Sequence, residues 1–183
     1  MELTGSVYLL ALASTGIAFV AFSTIVIVVR TSMGGELSKS HLLVTRFYIE
    51  LGFQVVAMSL LPLLFWVLAW PEHLIWRVSS LASGSVGAYW MLSAYHRQGA
   101  VASRPKSRFV RFNDLIGWSV VAYQLLNVIG VPIEPWIGPH AVATSWQLVL
   151  SGLMFLHSWD AFFRPSGQRT QKEASRNGKE SVP

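Results

Sequence analysis

The stretch TRFYIELGFQ, residues 45 to 54, lies inside an apolar run long enough to span a membrane, yet it sets Arg46, Glu50 and Gln54 four residues apart. Each residue of an α-helix advances by about 100°, so four residues nearly close a turn and the three side chains drift by only about 80° in all. They share one helical face. With the edge of the hydrocarbon near Thr45, a rise of about 1.5 Å per residue puts Glu50 about 7 Å deep and Gln54 about 13 Å deep, close to the bilayer midplane. Arg46 can snorkel to headgroups; the other two cannot readily do so, and a carboxyl at that depth needs a partner or a function.

Composition places this ladder in a membrane. Of 183 residues 52% are hydrophobic and 13% charged, about half the charged fraction of an ordinary soluble domain. Five apolar stretches reach spanning length, near residues 5–29, 44–69, 74–95, 114–132 and 140–163. The first is expected to stay in the mature chain, because its apolar core is too long for a signal peptide, no basic segment precedes it, and Arg30 closes it.

Charge placement sets the orientation. The first loop carries Arg30 and Lys39, the third Arg97, Arg104, Lys106, Arg108 and Arg111, and the tail Arg164, Arg169, Lys172, Arg176 and Lys179; together they hold 12 of the 14 basic residues. The second loop, WPEH, and the fourth, VPIEPWIGP, hold none. By the positive-inside rule the N-terminus lies outside and the C-terminus in the cytoplasm. The expected fold is an all-α integral membrane protein, a five-transmembrane-helix bundle over residues 1–163 with a disordered cytoplasmic tail over 164–183, multi-pass in the plasma (inner) membrane. The net charge of +5 sits beside apolar spans, which points away from nucleic acid. Membrane lipids are the expected partners, anionic ones at the basic loop 97–111, alongside a homo-oligomer or a larger membrane complex. Tryptophans 66, 70, 76 and 136 fall at the outer boundary and 90, 118 and 159 at the inner one, the placement of lipid anchors.

Two further spans carry polar faces. On the fifth, His140, Thr144, Gln147, Ser151 and Ser158 align; on the fourth, Asn113, Gly117, Gln124 and Asn127 do so. The faces of spans two, four and five are expected to meet, forming a path for an ion or small polar solute lined by Arg46, Glu50, Gln54, Gln124, Asn127, Gln147 and Ser151. The alternative is interhelical hydrogen bonding that only holds a structural or partner-binding component together. In the third span Ser80, Ser83, Gly84 and Gly87 form a small-residue packing face, and Ala11, Ser14, Thr15 and Ala18 a weaker one in the first. Pro62 predicts a kink in the second.

Signatures of chemistry are absent: no GxSxG, HExxH, P-loop or GxGxxG, and no cysteine. No enzyme activity, metal or cofactor is expected. A haem-binding oxidoreductase subunit is a minor alternative, pairing His73 with His140 or His96 with His157, although these positions lie at the hydrocarbon edge where a macrocycle gains least from burial.

Overall fold

A computed structural model describes residues 3–32, 39–99, 108–130 and 135–163. The tail 164–183 and most of the basic loop 97–111 lie outside the described residues. The chain is all-α: helices α1 (Ser6–Ser32), α2 (Lys39–Val67), α3 (Glu72–Gly99), α4 (Arg108–Ile129) and α5 (Ile137–Phe163), with no strand among the described residues. Two stretches, Ser6–Ser32 and Thr45–Val67, are long and apolar enough to cross a membrane. The helices α3, α4 and α5 are long enough, but the serines, amides and histidines along them dilute their apolarity.

Local chemistry sets the helix ends. Ala69 stands at φ 58°, with its N–H on the Trp66 carbonyl (2.9 Å) and the Trp70 N–H on the Phe65 carbonyl (3.1 Å), the paired bonds of a Schellman turn closing α2. Trp70 stacks on Phe65, ring centroids 4.6 Å apart, supplying the apolar contact that accompanies such turns. At the start of α3, Pro71 offers its carbonyl to the N–H groups of Leu74 and Ile75. Gly130, at φ 79°, ends α4.

Helices α1, α2, α3 and α4 pack in succession, and α5 packs against all four. The bundle is thus an arc with α5 in its hollow; α2 and α4 do not pack directly on each other. At the end carrying the α2–α3 and α4–α5 connections, Leu3, Leu9, Ile75 and Trp76 form a buried apolar cluster, flanked by Leu63, Phe65, Trp66 and Ile137. Toward the opposite end, the Phe155 ring meets Tyr48, Phe22 and Phe19 edge-on at 5.5, 5.8 and 5.9 Å.

Two expectations change here. The face Ala11, Ser14, Thr15 and Ala18 is exposed; α1 instead buries Leu9, Leu12, Ala13, Gly16, Val20 and Ser23. The reason is the crossing with α2. A Cβ on Gly52 would come 2.6 Å from Val20 Cγ2, and one on Gly16 would come 3.3 Å from the Gly52 carbonyl oxygen, so two glycines allow the backbones to meet. Trp76 is a core residue rather than an anchor, 1% exposed, its indole N–H donating to Glu72 Oε1 (3.2 Å).

Candidate functional site

The interior is unusually polar. Ser59, Ser79, Ser80, His140, Thr144 and Ser151 are wholly buried, and Gln54, Gln124 and Asn127 nearly so. Some of these groups are consumed by structure. Asn127 donates from Nδ2 to Ser80 Oγ (2.7 Å) and to the Trp136 carbonyl (3.1 Å), while its Oδ1 accepts the Trp136 N–H (3.1 Å). It ties α4 to α3 and to the segment entering α5. Thr144 and Ser151 return their hydroxyls to the carbonyls of His140 and Gln147, one turn back on their own helix.

The polar faces therefore meet differently from the expected arrangement of α2, α4 and α5. The face of α4 is turned onto the small-residue face of α3: Gln124 Nε2 donates to Ser83 Oγ (2.9 Å), and Cβ atoms on Gly84 and Gly87 would come 3.2 and 3.3 Å from Gln124 and Val121. On α5, His140 meets the Met58 carbonyl of α2. Any path through the interior is lined by four helices, because α3 and α5 lie between α2 and α4.

The opening ladder divides. Arg46 and Glu50 form an ion pair, with side chains 78% and 34% exposed, on a flank of α2 that the bundle leaves largely uncovered. Gln54, 9% exposed, has turned inward. Neither of its amide atoms has a hydrogen-bond partner, and the same is true of Gln124 Oε1 and Gln147 Oε1. A buried polar group without a partner costs about 1–3 kcal/mol. Three amide oxygens of this kind, one each from α2, α4 and α5, stand beside the equally unpartnered hydroxyls of Ser23, Ser59 and Ser79 and the Nδ1 of His140.

Toward the apolar cluster, the His140 ring lies beside Trp76 and bonds the Met58 carbonyl through Nε2 at 2.9 Å. Sequence reasoning about histidines at span ends missed this burial. The signal was Pro62, which has no N–H to offer the carbonyl four residues back. His73 is exposed while His140 is enclosed, so the two rings do not present a common pair of axial ligands. The side chains of His96 and His157 lie outside the described residues. Among the described residues no group of three or more His, Asp or Glu side chains could hold a metal ion.

No protein-family model, curated protein or solved structure matches this chain.

Proposed function

We propose that the chain is a five-span integral membrane protein of the plasma membrane, N-terminus outside and tail in the cytoplasm, that binds a small polar solute or ion in its interior and passes it across. Support for membrane embedding comes from an inverted distribution of polarity. Every helix leaves large apolar side chains uncovered, among them Ile25, Phe53, Tyr89, Leu115 and Leu156, while serines, amides and a histidine are enclosed. In water this would be costly on both counts; in lipid, uncovered apolar groups are solvated and polar ones must find partners inside.

The observation that carries the binding reading is the set of unpartnered amide oxygens on Gln54, Gln124 and Gln147. A second reading, that the interior merely holds the helices together, draws on the Gln124–Ser83 and Asn127–Ser80 bonds, each of a kind worth about 0.6–2 kcal/mol in membranes. That reading accounts for Asn127 and leaves Gln54 unexplained.

Because the chain has no cysteine, single substitutions test both parts. His73→Cys is expected to react with impermeant thiol reagents from outside only, and Ser175→Cys from inside only; labelling of Ser175→Cys from outside would reverse the topology. Purified protein in liposomes is expected to admit a solute or an ion that empty liposomes exclude. A bundle with no such permeability, in which every polar substitution lowers stability alike, would leave helix cohesion as the whole account.

A further inference from the structure

Contacts at several heights fix which residues share a level. The helices α2 and α5 run antiparallel; His140 meets Met58 near one end and Tyr48 meets Phe155 near the other, which sets Gln54 opposite the Thr144–Gln147 turn. In the same way Phe47 against Trp90, ring centroids 5.1 Å apart, sets Gln54 level with Ser83 on the antiparallel α3. Ser83 is the residue that holds Gln124. The three unpartnered amide oxygens therefore form a belt near one height, and Gln54 lies about 13 Å from the hydrocarbon edge near Thr45, at the middle of the bilayer.

Among the buried atoms of this belt that have no partner, three are acceptor oxygens and one is a donor nitrogen. They are the carbonyl oxygens of Gln54, Gln124 and Gln147 and the NH2 of Gln54; the NH2 of Gln124 is committed to Ser83, whose own hydroxyl proton stays available. An occupant that satisfies the three oxygens has to donate. The belt is also uncharged: α3 from Ser80 to Gly87, α4 from Gly117 to Ile129 and α5 from Thr144 to Ser151 carry no Asp, Glu, Lys or Arg, and the nearest carboxylate on α2, Glu50, is committed to Arg46. A bare cation would find three amide oxygens where dehydrated cations need a fuller shell, and no counter-charge. A neutral donor meets no such penalty.

Resting on the reading of the bundle as a solute-passing membrane protein, the geometry points to a midplane site for a small uncharged molecule rich in N–H or O–H donors, of the urea or glycerol class. Its donors bond the oxygens of Gln54, Gln124 and Gln147, and the Gln54 NH2 bonds its acceptor. Aromatic contacts close the site at both heights: Phe47 with Trp90 and Tyr48 with Phe155 on one side, Trp76 with His140 on the other.

The test is uptake of radiolabelled urea, glycerol and rubidium ion by liposomes holding the full chain, with Gln54→Met and Gln147→Met beside the wild type. Urea or glycerol is expected to enter about tenfold faster than into empty liposomes, the rate equivalent of one good hydrogen bond, and to fall toward that background in Gln54→Met. Thermal stability of Gln54→Met is read in parallel and is expected to be unchanged or raised, which separates loss of a site from loss of the fold. Uptake of rubidium but of neither neutral solute would overturn this inference and leave the transport reading standing. Urea and glycerol uptake that survives in both variants would overturn the assignment of the belt. No uptake of any of the three, with Gln54→Met destabilised, would overturn the transport reading itself.

Discussion

His140 Nε2 lies 2.9 Å from the Met58 carbonyl oxygen, the acceptor that Pro62 leaves without its helical N–H. A carbonyl can only accept, so Nε2 carries a ring proton. One imidazole thus repairs a break in α2 and fastens α5 to it, beside the buried indole of Trp76. Proline is tolerated inside a helix when a neighbouring element takes over the released carbonyl, and here α5 is that element.

This pairing makes a double-substitution cycle informative. His140→Ala should destabilise the bundle by about 1–3 kcal/mol, since it strands a buried carbonyl and opens a gap beside Trp76. Pro62→Ala restores an N–H to the Met58 carbonyl within α2, so in that background the cost of His140→Ala should shrink by about 1 kcal/mol. Reversible unfolding in mixed micelles measures both. Strictly additive costs would show that His140 contributes only packing.

Much of the architecture was legible in the sequence, and the exceptions have physical causes. Apolar runs located five helices, but α4 begins at Arg108 rather than near residue 114, because hydropathy discounts its first turns, which contain Arg108, Arg111 and Asp114. Counting faces at about 100° per residue grouped His140, Thr144 and Ser151, which are all wholly buried. It could not say what each face meets: Gln124 and Asn127 bond Ser83 and Ser80 of α3, a choice made by long-range packing. Trp76 and His140 were misread because an amphipathic ring suits an interface and a core equally. Gly16 and Gly52 were overlooked among small residues, although glycine is the one residue that lets two backbones touch.

Gln54 and Gln124 separate site from scaffold. Gln54→Met removes two unpartnered amide atoms and keeps the volume, so stability should hold or rise by up to about 1–2 kcal/mol. Gln124→Met breaks the bond to Ser83 and should cost about 1 kcal/mol. Thermal unfolding of the two variants in one detergent gives the comparison. A Gln54→Met protein less stable than Gln124→Met would mean that Gln54 is the structural tie.

The crossing of α1 and α2 predicts a compensating pair. Gly52→Ala drives a methyl toward Val20 Cγ2 and should cost about 1–3 kcal/mol by overpacking. Val20→Ala alone leaves a small cavity and costs about 1–2 kcal/mol, yet joined to Gly52→Ala it makes room for the new methyl. The double variant should therefore be more stable than the sum of the two losses allows. Additivity, measured by the same unfolding assay, would place the close contact elsewhere.

Arg46 and Glu50 are paired on an uncovered flank of α2, one turn short of Gln54, so the carboxylate reaches the outside of the bundle while the amide reaches its interior. In the proposed membrane frame, Glu50→Gln should leave Arg46 without its partner near the hydrocarbon edge and lower stability, and adding Arg46→Gln should recover most of the loss, because the stranded charge is then removed as well. Uptake of a neutral solute should be nearly the same in wild type, single and double variants, since neither charge stands in the belt. Rates that fall with Glu50→Gln and stay low in the double variant would bring the carboxylate back into the path, and would require α2 to turn about its axis when the bundle opens.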